Sequence, residues 1–427
     1  MPEGSAPDLN SRIALLAAIL LSAFFTVAPL SPKALTLSAG LIALTGAVVG
    51  WRGLPLLPPA TRMLWVAFGL YVASALLSLI NNEEWHRAGA RFEKYHPFLF
   101  AIPITGWLAL SRPRLKTALL IGMLGAALTL TATALYEQLA LGVERVGYLT
   151  GHEPNIFGHL ASLVALLLFG YGLFGHCDRR LRVALLLGGV GAVYSIMATG
   201  TRGALLAFAG GFIVMGAAWF LRNGICRKRL LQLTALLLAG IGIVALTFAL
   251  SDFWRAHWER LLSEPAQFMA GDTRYTSIGA RMTLWLSGWK TAMANFWIGT
   301  GIGDNQLDYN RLMAAGELPP FPNNSHFHLH NIFIDAFAST GIIGLTAMVS
   351  AVFIVPAIHF SRQLRSGASD SGQDPAAAIG LGILTNGFLF GMTYSWLYIR
   401  GLHFFLLLLL ALIVLSAPVR RVQSAEK

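Results

Sequence analysis

Ser325-His326-Phe327-His328-Leu329-His330-Asn331 runs straight into IFIDAFASTGIIGLTAMVSAVFI, residues 332–354. The second stretch is long and apolar enough to cross a bilayer as a helix, which takes about 20 residues. The first sets three alternating imidazoles where water meets lipid. An ionisable group at that boundary costs free energy unless it is paired or used. Histidine also changes charge near neutral pH, which suits proton transfer.

Working outward, the same apolar pattern recurs along nearly the whole chain. Hydrophobic residues make up 56% of 427 and charged residues 12%, with mean hydropathy +0.63; a soluble domain carries about a quarter charged residues. Spans are expected near 13–30, 34–51, 62–80, 96–111, 115–136, 156–175, 181–199, 202–221, 229–249, 330–358, 376–397 and 401–417. The fold class is therefore an all-α polytopic membrane protein of about twelve transmembrane helices. The first helix is expected to stay, because residues 1–11 hold no signal-peptide cleavage pattern.

Charge orients these spans. With both termini inside, the cytoplasmic pieces are 51–62, 111–116, 176–182, 221–230, 359–375 and the two tails. They hold more than half of the 31 Lys and Arg but under a third of the 20 Asp and Glu, as the positive-inside rule requires. The net charge of +11 is then topology, and no nucleic-acid partner is needed to explain it. Cys177 and Cys226 fall in short loops on the reducing side, so no disulfide is expected.

The chain divides into spans one to nine (1–250), a large non-cytoplasmic loop (251–329), spans ten to twelve (330–417) and a cytoplasmic tail (418–427). Loops as long as 251–329 are functional or carry structure of their own. Within it, Arg281, Trp285 and Trp289 recur at helical spacing on one face. They predict an amphipathic helix in the interface, its tryptophans at headgroup depth. Gly299-Thr300-Gly301-Ile302-Gly303 reads as a tight turn whose N–H groups suit a phosphate, although no Walker lysine follows.

The polar candidates gather on one side. Arg91 and Lys94 precede the fourth span; Arg145, His152 and Asn155 precede the sixth; Arg202 opens the eighth; Arg281 sits in the large loop; His330 and Asn331 open the tenth. A single arginine there is ordinarily a snorkelling side chain. Several of them, on the face where positive charge is disfavoured, call for an anionic ligand, and a diphosphate matches arginine forks. Arg202 stands out, since a helix start already favours an anion. His326, His328 and His330 are compatible with zinc, but no acidic residue follows until Asp335 and the helix start breaks the alternation. A single working histidine is the reading taken: His330, with Asn331 and Asp335 placed to orient it or its substrate.

These residues resemble the O-antigen ligase and polymerase superfamily. His330-Asn331 followed by Asp335 and Gly341-Ile342-Ile343-Gly344 is similar to its His-Asn…Gly-x-x-Gly signature. Thr201-Arg202-Gly203-Ala204 resembles its arginine motif at a span start, and Arg281 with Trp285 its second arginine. Gly151-His152-Glu153-Pro154-Asn155-Ile156-Phe157-Gly158 resembles its Pro-Asn-x-Phe-Gly element. The resemblance implies a C-type glycosyltransferase fold in the bacterial inner membrane with its active site facing the periplasm. It implies transfer of a glycan from undecaprenyl diphosphate, without metal or other cofactor and with inversion. The acceptor is lipid A–core for a ligase, another lipid-linked repeat unit for a polymerase, or a protein for a third branch; chain length and layout favour the ligase. His330 and Arg202 take the catalytic roles. Arg281, Arg145, Arg91, Lys94, Asn331, Asn155, Trp285 and Asp335 are the expected substrate contacts. A transporter, the reading from another class, calls for midplane charges on broken, repeated helices; here the charges collect at one face.

Overall fold

The computed structural model of the protein describes residues 9–224, 277–318, 328–366, 374–399 and 401–418, with isolated positions between 225 and 276. Every described element is helical. In chain order the helices that matter below are α1 (Leu9–Val27), α2 (Pro32–Val49), α3 (Arg62–Ser78), α4 (Trp85–Phe92), α5 (His96–Leu110), α6 (Arg112–Leu135), α7 (Pro154–Phe174), α8 (Arg179–Ala198) and α9 (Arg202–Asn223). They continue with α10 (Ser277–Ala294), α11 (Asn305–Ala314), α12 (Ile332–Val349), α13 (Val355–Ser366), α14 (Ala376–Gly391) and α15 (Gly401–Ser416).

Eight helical stretches among the described residues are long and apolar enough to cross a membrane, and α14 and α15 are shorter apolar helices. The expected ninth span, 229–249, lies outside the described residues, as does most of 251–276. The expected fourth span is α5, only 15 residues long. The expected eleventh span stops at Gly391, earlier than the apolar pattern suggests. Residues beyond it leave the helix because Asn331 Nδ2 donates to Met392 O at 3.2 Å and Ser395 Oγ accepts from Asn331 N at 3.1 Å. The break at Ser31-Pro32 is where it was read: Ser31 Oγ caps α2 by accepting from Ala34 N.

α7 is the central post. Its apolar window is wholly buried, and α6, α8, α9, α14 and α15 pack around it. Pro154 opens it, where the missing N–H costs no intrahelical bond. Beside it, α9 and α14 touch backbone to backbone: a Cβ added at Gly211 would stand 2.6 Å from Gly382 O. Small residues that permit such approach are how helices associate when lipid supplies no hydrophobic drive.

The expected tenth span is broken at Gly341, with φ +63° and ψ −168°. An unbroken helix would pair Ile342 N with Ala338 O and Ile343 N with Ser339 O. Instead the preceding loop fills the gap. Ile342 N donates to Phe296 O (2.8 Å) and Ile343 N to Trp297 O (3.3 Å), while Thr300 N and Gly301 N donate to Ala338 O and Ser339 O (3.1 Å each). Gly303 N donates to Asn82 Oδ1. The glycine turn is therefore a backbone clasp on α12, and the N–H groups of Thr300, Gly301 and Gly303 are already used; this corrects the phosphate reading of that turn. Gly341 must be glycine, since a Cβ there would lie 2.3 Å from the Trp297 carbonyl carbon and the backbone is left-handed.

Candidate functional site

His330 is the one non-glycine residue with positive φ (+53°) among the described residues. A left-handed conformation at such a residue costs about 1 kcal/mol or more and persists only where its surroundings over-determine it. Here they do. Asn331 caps α12, its Oδ1 accepting from Phe333 N and Ile334 N, and its other polar groups hold the 392–395 loop. Leu329 N donates to Asp335 Oδ2 at 3.0 Å. The imidazole so placed is only partly buried. It meets the His328 ring edge-on, centroids 4.3 Å apart, and both rings contact Tyr394 at 5.3 and 5.2 Å.

Three arginines come from separate elements: Arg202 and Arg145 stand within electrostatic reach of Arg281, which also reaches Tyr394. Arg202 is the first residue of α9, after a turn set by Gly200 at φ +64°. Thr201 Oγ1 in that turn donates to Pro154 O at the start of α7. Arg145 lies in the loop before α7, its Nε donating to Thr199 O at 3.1 Å. That loop is folded around buried Glu137, which accepts from Gly147 N and Leu149 N. Arg281 is on α10, the helix read from the Arg-Trp spacing. Its guanidinium is held below its ordinary range, first by burial and then by the positive charges of Arg202 and Arg145; Tyr394 and Glu264 act in the opposite direction. A buried guanidinium opposed by two neighbouring cations marks a site that an anion would relieve.

Tyr394 joins the histidines to this cluster. Its hydroxyl donates to Glu153 Oε2, with Asn155 close enough to act on it electrostatically. Its proton is held more tightly than usual, by burial and by the adjacent Glu153 carboxylate, so the phenol stays neutral. Tyr394 and Glu153 were not singled out from the sequence. Hydropathy reads straight through 376–397, so the loop that presents the tyrosine leaves no trace in it.

The remaining expected residues lie elsewhere. Arg91 pairs with fully buried Asp335 at 2.5 Å and sits 4.6 Å over the Tyr398 ring. Asn305 Nδ2 donates to the same Asp335 oxygen at 2.7 Å. Asp335 thus ties α4, α11 and the 328–331 loop together, and its link to His330 runs through Leu329 N. Lys94 faces a cavity between α2, α5 and α15. Trp285, one turn after Arg281, has a buried indole N–H with no hydrogen-bond acceptor among the described residues. His152 Nε2 is 3.0 Å from Ala28 O and serves packing. Among the described residues no three His, Cys, Asp or Glu side chains group as a metal site; His326 lies outside them.

Asp335→Ala is expected to destabilise the protein by about 3–5 kcal/mol, because it leaves the Arg91 charge buried without its partner. Thermal unfolding in detergent measures this, and Asp335→Ala combined with Arg91→Met should recover much of the loss. Additive losses in the double variant would show that the pair is not the anchor described.

Residues 187–349 match the family model described as O-antigen ligase. The matched stretch holds Arg202, Arg281, His330, Asn331, Asp335 and the break at Gly341, so the resemblance read from those motifs stands there. Arg145, Asn155 and Tyr394 lie outside it. A Haemophilus influenzae protein described as uncharacterized is 22% identical over 305 residues, 71% of this chain and 74% of its own length.

Proposed function

From that family match and the grouping of Arg202, Arg145 and Arg281, joined to His330 through Tyr394, we propose that the protein is an O-antigen ligase. It transfers a glycan from undecaprenyl diphosphate to the lipid A–core oligosaccharide at the periplasmic face of the inner membrane. The single observation that carries the reading is a buried Arg281 opposed by Arg202 and Arg145 and linked through Tyr394 to a histidine in a strained, over-determined conformation.

Each residue has a role in the chemistry. A diphosphate is already a good leaving group, so the barrier falls chiefly through neutralising the charge that builds on it as the glycosidic bond breaks. Arg202 and Arg281 hold it, with Arg145 adding charge. His330 takes the proton from the acceptor hydroxyl as that oxygen attacks the sugar C1. The attack forms the new C1–O bond as the C1–O bond to the diphosphate breaks on the opposite face, which inverts the anomeric centre. Tyr394, Glu153, Asn155 and His328 set the wall around the imidazole. Arg91 and Asp335 hold the loop that presents it, and Trp285 flanks Arg281 as a platform for sugar.

The test is the acceptor. Lipid-linked glycan and lipid A–core, incubated with purified protein, should yield capped lipopolysaccharide. Lengthened lipid-linked glycan with no capped product would replace the ligase by a polymerase. Activity should also survive a divalent-cation chelator; its loss on chelation and return on adding zinc would restore a metal role for His326, His328 and His330.

A further inference from the structure

A cavity of about 500 Å³ opens between α2, α5 and α15, apart from the arginine site. Its walls are apolar, including Ile104, Leu406 and Leu410. Its mouth carries Lys33, Lys94, His96 and His403, with Glu93 as the one acidic residue. Lys33, His96 and His403 lie in the first turns of α2, α5 and α15, and Glu93 and Lys94 in the turn just before α5, all on the side where the expected topology puts the arginines. An apolar slot beneath a ring of cationic and titratable groups is complementary to a phosphorylated lipid, with chains below and phosphate above.

The donor's polyprenyl chain is not its occupant. That chain begins at the diphosphate, so it enters the bilayer beside Arg202 and Arg281, on α9 and α10. No residue of the slot comes from those helices. The slot instead adjoins a chain of residues that leads to the histidine group. Tyr95, next to His96, meets Tyr398 at 6.2 Å, and the short helix Trp396–Tyr398 leads directly to Ser395, which holds Asn331. His96 and His403 are themselves 6.2 Å apart across the mouth. We infer that this slot seats the lipid anchor of the acceptor, a phosphorylated, acylated glucosamine lipid, with its phosphate at Lys33 and Lys94 and its sugar end turned toward His330. The inference rests on the ligase reading for the identity of the acceptor, but the slot's lipid binding is measurable without any turnover.

Gly40 gives a clean block: it lines the slot, and a Cβ built there meets nothing within 4 Å. Native mass spectrometry of the purified full chain titrated with hexa-acyl lipid A, which lacks the core and cannot be glycosylated, should show bound lipid. Binding should fall by about tenfold or more when lipid A is dephosphorylated or when Lys33→Glu and Lys94→Glu are combined. It should fall likewise in Gly40→Phe. In the transfer assay Gly40→Phe should raise the KM for lipid A–core by about the same factor while the KM for the donor stays put. Phosphatidylglycerol or polyprenyl diphosphate binding the slot as tightly as lipid A would overturn the assignment, and so would lipid A binding indifferent to phosphate removal. Transfer to a different acceptor, with these binding results unchanged, would instead defeat only the ligase reading.

Discussion

His330→Ala lowers glycan transfer by about 10²–10⁴-fold, the usual contribution of a positioned general base, while the protein still inserts and purifies as a folded species. Because His330 sits at φ +53°, the side chain and the backbone can be tested separately. Asparagine tolerates the left-handed region better than most residues, so His330→Asn should match the wild type in thermal stability yet remain as inactive as alanine. Glycine carries no Cβ penalty there; His330→Gly should unfold no earlier than the wild type and be equally inactive. The measurement is the initial rate of capping alongside an unfolding curve for each variant. Substantial capping by His330→Asn would remove the histidine from the base role, since an amide cannot accept the proton at neutral pH.

Arg281→Ala is expected to lose about 10²–10³-fold in transfer, the loss typical of removing one group that stabilises developing negative charge. Its stability should move the other way from that of an ordinary buried-arginine deletion. Burial and the charges of Arg202 and Arg145 hold the Arg281 guanidinium below its usual range. The charged form is therefore less favourable in the fold than in the unfolded chain, and deleting it relieves repulsion. Unfolding of Arg281→Ala without ligand should occur no earlier than in the wild type. Pyrophosphate should raise the unfolding temperature of the wild type more than that of the variant, by linkage. A variant that unfolds earlier and responds to pyrophosphate as the wild type does would mean that Arg281 is structural. Lysine should not substitute well, because a point charge cannot reproduce the two-pronged contact of a guanidinium with phosphate.

The apolar periodicity carried most of the architecture, because a helix that must bury every backbone polar group in lipid leaves long uninterrupted runs. The boundaries at Ser31 and Arg202 follow from local capping and turn chemistry and were readable. Those at Gly391 and Gly341 were not, since they depend on partners far along the chain: Asn331 for the 392–395 loop, and residues 296–301 for the break in α12. The site divides the same way. Arg202, Arg281 and His330 were legible because charge on the disfavoured side of a membrane is conspicuous. Arg91 and Asp335 carried the same signal, and only the fold reveals that they face each other. His328, set aside when His330 was taken as the single working histidine, packs against the His330 ring. Tyr394 hid within an apolar run, where an aromatic residue reads as one more lipid contact.

The loop that completes α12 also constrains how the protein is assembled. Residues 332–349 cannot hold their kinked form alone in lipid, because the four backbone groups around Gly341 that residues 296–301 satisfy would be stranded without partners. Their partners are made earlier on the ribosome, in residues 296–301. The upper half of α12 therefore acquires its final pose by docking onto an extramembrane segment already in place. His330 stands at the start of the same span, so under the proposed function the site is complete only once residues 296–301 are in place.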